Sequence, residues 1–210
     1  MRTRKLNSFR LYGDSRSGNC YKAALMLSLT GRTFEWIETD IMQGATRTAK
    51  FLAMNPNGRV PLLRLADGPY LAESNAMLLH LSENTAYLPA DSYQRAVVYQ
   101  WLFFEQYSHE PYIAVARFIV KLAGRELEES ERLKILRNKG NAALGVMEEW
   151  LNSHLFLAGD QFSIADIALY AYTHTAEDGG FDLSSWSTVQ SWLRRVETVP
   201  GFLTMEEVCR

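Results

Sequence analysis

Residues 55–74 read Asn55-Pro56-Asn57-Gly58-Arg59-Val60-Pro61-Leu62-Leu63-Arg64-Leu65-Ala66-Asp67-Gly68-Pro69-Tyr70-Leu71-Ala72-Glu73-Ser74. The first four residues are a dense turn signal, because Pro presets φ while Asn and Gly tolerate the left-handed region. Val60 to Leu65 and Tyr70 to Ala72 flank Asp67-Gly68-Pro69, which predicts a hairpin. Pro61 has no N–H for a ladder, so it must stand at a strand start, at an edge or in a cis turn. Ser74 is the expected N-cap of a helix reaching Leu81, with Met77, Leu78 and Leu81 apolar.

Upstream, Phe9 to Tyr12 predicts a short strand, ended by Gly13-Asp14-Ser15. Cys20, Ala23, Ala24 and Leu27 then fall at i, i+3, i+4 and i+7, one face of a helix. Gly31 stands where a C′ residue ends that helix. Phe34 to Ile37, aromatic and β-branched, predicts a second strand, and a shorter helix over Thr46 to Met54 leads into the turn. Helix and strand alternate first, which needs a crossover and a parallel pair; the closing hairpin is antiparallel. The expectation is a small mixed sheet covered by helices.

Downstream of Thr85 to Ser92, a polar stretch holding Pro89, the strand pattern disappears. Val97, Val98, Trp101 and Leu102 open a long helix, and Leu133, Leu136, Ala143, Leu144, Met147 and Leu151 line another. Ser163-Ile164-Ala165-Asp166 is a capping box with Asp in place of Glu, opening a helix whose apolar face holds Ile164, Ile167, Ala168 and Ala171. A last helix runs from about Thr188 to Glu197. Pro111 lies inside the first long helix and is expected to kink it near Tyr107. The division expected is an α/β domain over 1–84, a linker over 85–92 and an all-helical domain over 93–210.

A chain of 210 residues, 47% hydrophobic and 22% charged, suits one large or two small globular domains. Its net charge of −2 gives no electrostatic case for nucleic acid or an anionic membrane as partner. No apolar run approaches the ~18 residues of a membrane span. Arg2, Arg4 and Lys5 are not followed by an apolar segment, so no signal peptide is expected. Cys20 and Cys209 cannot form a disulfide scaffold and point to a reducing compartment; a cytoplasmic location is expected. Four scattered histidines lack metal-ligand spacing, so no metal is expected. Gly13-Asp14-Ser15 resembles an esterase turn, but no Asp has a His three residues later, and G-x-S-x-G and phosphate-loop motifs are absent.

Three places carry chemistry, each with a plain structural alternative. Ser15-Arg16-Ser17-Gly18-Asn19-Cys20 lies between a strand and a helix N-terminus, where backbone N–H groups favour an anion and a hydroxyl can donate to a thiolate. It also serves as an ordinary N-cap. Val60-Pro61, if cis, would turn the backbone of Val60 outward to pair with an extended peptide-like ligand; a trans Pro starting an edge strand is the commoner case. Glu73 beside the Ser74 cap could bind an ammonium while the neighbouring amides take a carboxylate, or it is a solvated acid before a capped helix. The Ser163–Asp166 box is assigned to folding alone.

Together these features resemble the cytosolic glutathione S-transferase superfamily, bacterial and nu-like or theta-like, along nearly the whole chain. The resemblance implies a thioredoxin-like first domain, an all-helical second domain, and a cis Val60-Pro61 bond. It implies glutathione as co-substrate, with Glu73 and Ser74 on the γ-glutamyl end, the backbone of Val60 on the cysteinyl part, and Gln43, Arg47 and Arg59 towards the glycyl carboxylate. Ser15 lies where theta-like enzymes keep their serine, while Ser17-Gly18-Asn19 is similar to the Thr-Pro-Asn segment of the nu class. Ser17 and Cys20 also stand as the two cysteines of a C-x-x-C, with the exposed one replaced by Ser; Ser17 and Asn19 are then expected to face the thiol. Cys20 is read as buried packing. An electrophile site is expected between the domains, with Glu105, His109 and Tyr112 sharing a helix face at i, i+4 and i+7 and Arg117 beyond. The implied activity is conjugation of glutathione to small hydrophobic electrophiles, as in detoxification, by a homodimer. Alternatives are a glutathione-dependent disulfide reductase or peroxidase of nu type, and a non-catalytic binding protein on the same fold, such as the RNA-polymerase-associated starvation proteins.

Overall fold

The computed structural model describes residues 8–66 and 68–208. Asp67 of the hairpin turn, the N-terminal basic residues and Cys209 lie outside the described residues. The chain divides into two units, residues 1–83 with 200–210, and residues 84–199.

The first unit is built on four strands, β1 Phe9–Gly13, β2 Phe34–Glu38, β3 Leu62–Arg64 and β4 Tyr70–Ala72, in the order β2-β1-β3-β4. β1 and β2 are parallel, with Leu11 opposite Trp36, and the other two pairs are antiparallel. The parallel pair is joined by α1, Gly18–Leu29, whose Cys20, Ala23, Ala24 and Leu27 are all fully buried. Burying one leucine stabilises by about 1.5–3 kcal/mol, so this face alone anchors the helix. Gly31, at φ 62, ends α1 as expected: its N–H donates to the Ser28 carbonyl and that of Arg32 to Leu27. Helix α3, Ser74–Ser82, packs beside α1 with Met77, Leu78 and Leu81 buried.

Three details differ from expectation. The helix over Thr46 to Met54 splits at Thr48: a single turn, Ala45–Arg47, precedes α2, Ala49–Met54, because Thr48 is extended and caps α2 by accepting the Phe51 N–H at 3.3 Å. The N-cap of α3 is Glu73 and not Ser74, which is already helical; Glu73 sits at φ 67 and its side chain caps nothing. Residues 200–208 belong to the first unit and not to the helical domain. The Tyr21 hydroxyl donates to the Leu203 carbonyl at 2.6 Å and the Ser28 hydroxyl to that of Gly201 at 2.9 Å, so the tail is tied to α1.

The second unit is helical: α4 Ser92–Phe104, α5 Glu110–Arg117, α6 Ser130–Leu151, α7 Ile164–Thr173 and α8 Ser187–Glu197. Helix α7 is buried at every residue. Its capping box is present: the Ser163 hydroxyl accepts the Ala165 N–H at 3.2 Å, and Asp166 accepts the Ser163 N–H at 2.9 Å. Asp166 also receives the Leu157 N–H and the Trp192 indole, each at 2.9 Å. The distortion expected from Pro111 takes the form of a π-helical turn, Glu105–His109, between α4 and α5. Pro111 offers no N–H to Tyr107, and the Glu110 N–H reaches back to the Glu105 carbonyl, one residue farther than in an α-helix.

Candidate functional site

The first turn of α1 is shaped by Asp14, fully buried at the end of β1. Its carbonyl accepts the Ser17 N–H at 2.9 Å, and its carboxylate accepts the Arg16 N–H at 3.0 Å and the Ile41 N–H at 3.0 Å. The Arg16 guanidinium adds a two-pronged pair, Nε to Oδ1 at 2.8 Å and Nη2 to Oδ2 at 2.6 Å. Burial works to raise the pKa of Asp14, but Arg16 and the two backbone donors outweigh it and hold the carboxyl below its usual range. Residues 14–17 are therefore fixed before any ligand arrives.

The two candidate serines separate in this turn. Ser15 is turned to β2: its N–H and hydroxyl lie 3.2 and 3.5 Å from Glu38 Oε1. Ser17 is the N-cap of α1, accepting the Cys20 N–H at 3.4 Å, a long bond that leaves the hydroxyl hydrogen as a donor. No acidic side chain stands in the first turn of α1, so the positive end of the helix is not neutralised from within. Burial pushes the Cys20 thiol up to about 12, against a smaller downward pull from the Ser17 hydroxyl, so this sulfur stays protonated at neutral pH.

Among the other candidates, Ser74 is tied to this turn. The Ser74 hydroxyl donates to Asn19 Oδ1 at 3.2 Å, linking the first turns of α3 and α1. Glu73 is exposed, its backbone at a positive φ that costs a non-glycine residue about 1–3 kcal/mol and is typical of ligand clamps. The Val60-Pro61 peptide is cis, and the first rung of both ladders on β3 is Leu62, so Val60 lies just ahead of the paired backbone. Asn55, buried, builds the turn before it, donating to the Arg59 carbonyl at 2.9 Å and accepting the Asn57 N–H at 3.2 Å. Arg47 is drawn to this turn, Nη1 lying 3.5 Å from the Asn57 carbonyl. Gly58 sits at φ 61, a backbone that strains any residue with a Cβ, and a Cβ there would also press on that guanidinium. Arg59 and Gln43 are exposed, and the Gln43 N–H donates to Asp40 at 3.3 Å.

The expected electrophile residues are not brought together as the spacing implied. The π-helical turn widens the interval between Glu105 and His109, so i, i+4 and i+7 no longer define one face. Glu105 and His109 are fully buried and Arg117 nearly so. Within the helical unit, Glu105 accepts from Gln106 at 2.8 Å, His109 meets the Thr173 hydroxyl at 2.9 Å, and Arg117 pairs with Asp178 at 3.1 Å. His109 and Arg117 thus link separate helical segments. Tyr112 is half-buried, with the Lys139 ammonium 5.1 Å from its ring centre.

Two family profiles, described as the glutathione S-transferase N-terminal and C-terminal domains, match residues 16–84 and 100–200. The chain belongs to the glutathione S-transferase family. A glutathione S-transferase from Pseudomonas fluorescens superposes with a TM-score of 0.92 at 52% identity, covering 94% of this chain and 98% of that one. A glutathione transferase from Burkholderia graminis, solved with two glutathione molecules per subunit, superposes with a TM-score of 0.81 at 27% identity over 93% of this chain and 85% of that one. The disulfide-bond oxidoreductase YfcG of Escherichia coli is 28% identical over 198 residues, 87% of each chain. The first strand and the Asp14-Ser15 pair that follows it precede the matched N-terminal segment.

The residues that spacing did not single out are Asp14, Glu38 and Asp40. Their partners lie up to 27 residues away, in Asp14 and Ile41, and no local motif marks such a link. The available signal was an Asp at the end of a central strand, where a buried carboxylate must find donors.

Proposed function

We propose that the protein binds glutathione along the edge at Val60 and transfers its thiolate to the electrophilic carbon of a small apolar molecule. The observation that carries this reading is the junction of two helix N-termini, α1 and α3, through the Ser74–Asn19 hydrogen bond, with the Ser17 hydroxyl beside it and no acidic residue in either first turn. Such a place suits an anion at each terminus: a thiolate at Ser17 and Asn19, and the γ-glutamyl carboxylate at the amides of α3. Glu73 takes the γ-glutamyl ammonium, and Arg47, Arg59 and Gln43 take the glycyl carboxylate. A free thiol has a pKa near ~8.5, and two donated hydrogen bonds with a helix terminus supply ~1–3 kcal/mol, lowering it by about one to two units. The thiolate forms the carbon–sulfur bond as the leaving group departs with its electron pair. Because Cys20 stays protonated, it supplies no thiolate to the reaction.

A second reading, reduction of disulfides by bound glutathione, is favoured by the Ser17-Gly18-Asn19 segment and by the likeness to an oxidoreductase and to a transferase that holds two glutathiones. We also assign a homodimer, supported by α4, which leaves Tyr93 and Phe103 largely exposed. A cytoplasmic location goes with this reading, since glutathione is kept reduced there. Calorimetry with glutathione, then turnover of an aryl halide and of 2-hydroxyethyl disulfide, tests the proposal. Binding with aryl halide turnover supports transfer. Turnover of the disulfide alone replaces it with the reductase, and absence of binding leaves a non-catalytic binding protein.

A further inference from the structure

We propose that Arg16 is a positioning residue that joins the thiol-binding turn to the loop carrying Gln43 and offsets the carboxylates gathered under that turn. The inference rests on the glutathione reading above. Arg16 lies between the two candidate serines, and its Nη2 bridges two acids, reaching Asp14 at 2.6 Å and Asp40 at 2.7 Å. Asp14 holds the turn on one side and the Ile41 N–H on the other. Asp40 in turn accepts the N–H groups of Met42 and Gln43, at 2.8 and 3.3 Å, and so shapes the loop from which the Gln43 side chain emerges. One guanidinium thus ties residues 14–17 to residues 40–43. Lysine cannot do the same, because a single ammonium lacks the planar fork that grips Asp14 by two parallel bonds.

Electrostatics gives the arrangement a second consequence. A thiolate at Ser17 would sit near Asp14, Asp40 and Glu38, three like charges, with Glu73 at the head of α3 and the buried Lys22 and Cys20 on α1. Like charges disfavour ionisation of the sulfur, and Arg16 is the cation paired with two of the three. The Arg16–Asp14 pair keeps the buried carboxylate from acting on the sulfur as an uncompensated charge, while the Arg16–Asp40 pair orders the loop. The two pairs therefore separate in their effects: the inner one acts on thiol ionisation, and the outer one on glutathione affinity.

The test is ultraviolet titration of the thiolate in the glutathione complex, with kcat and KM measured as functions of pH, for the wild type, Arg16→Gln, Arg16→Lys and Asp40→Asn. In Arg16→Gln the midpoint of thiolate formation is expected to rise by about one pH unit, with a roughly tenfold loss of kcat at neutral pH. Arg16→Lys should recover most of that midpoint, since it keeps the charge. Asp40→Asn should raise KM for glutathione several-fold without raising the midpoint, since it removes a like charge. If Arg16→Gln binds glutathione and keeps the wild-type midpoint, even with a lower melting temperature, Arg16 only braces the fold and the inference is overturned. If the wild type itself shows no thiolate signal with glutathione, the glutathione reading fails first and takes this role with it.

Discussion

Helices α1 and α7 both begin behind a serine, Ser17 and Ser163, but their first turns are completed differently. At α7 the capping box closes on itself: Asp166 accepts from Ser163, Leu157 and Trp192, and the whole turn is buried. At α1 the cap bond is long, no acid follows, and the hydroxyl of Ser17 remains near the surface. The same serine-led start thus serves folding where the chain supplies its own anion, and recognition where it leaves that anion to be brought in. The two fully buried aspartates repeat the contrast. Asp14 has Arg16 against it and is held below the usual carboxylate range, whereas burial pushes Asp166, which has only neutral donors, up to about 6.

Substitution at the closed turn has the largest expected effect. Asp166→Ala strands four donor contacts in the interior and should cost at least ~3 kcal/mol in urea unfolding, while glutathione affinity of the folded fraction stays near that of the wild type. A loss under ~1 kcal/mol would erase the distinction between the turns.

The pH dependence follows from the same pair. The folded state holds the Asp166 proton more tightly than the unfolded one, so this contribution is complete below about pH 4 and lost as pH rises to about 6. It amounts to at most ~3 kcal/mol. Asp14 acts with the opposite sign: its contribution is present above its ordinary pKa and lost as pH falls through the lowered one. Unfolding measured from pH 3 to pH 7 should therefore show stability declining from about 4 to 6, and Asp166→Asn should abolish that decline.

At the open turn, Ser17→Ala should lower turnover by roughly 10- to 100-fold, while stability changes by less than ~1 kcal/mol because the lost cap bond is long. Ser15→Ala should cost only a few-fold, since its hydroxyl is turned to Glu38. The reverse ranking would move the sulfur to Ser15. The most specific expectation concerns Glu73. Glu73→Gly relieves the positive φ and should stabilise the fold by ~1 kcal/mol, yet weaken glutathione binding about tenfold or more by removing the carboxylate. Calorimetry and unfolding should move in opposite directions.

Much of this was legible in the sequence because it is local. The switch from strand-and-helix alternation to helical period marks the two kinds of domain, and the Ser163–Asp166 box is complete within four residues. Three features were not. Nothing in Glu73 announces a left-handed backbone, a conformation that Gly, Asn or Asp would advertise. Pro111 signals a broken hydrogen bond but not its repair by a π-helical turn, which displaced the expected electrophile face. The network of Asp14, Arg16 and Asp40 joins segments more than twenty residues apart, so only the folded chain reveals it.

The return of residues 200–208 to α1 means that the helical unit is, in sequence, an insertion within the sheet-bearing one. A fragment ending at Glu83 would lose the Leu203 carbonyl that accepts from the Tyr21 phenol. Anyone dissecting this protein by truncation should expect the halves to be unequal, and should join the last segment to the first by a linker when making the smaller one alone.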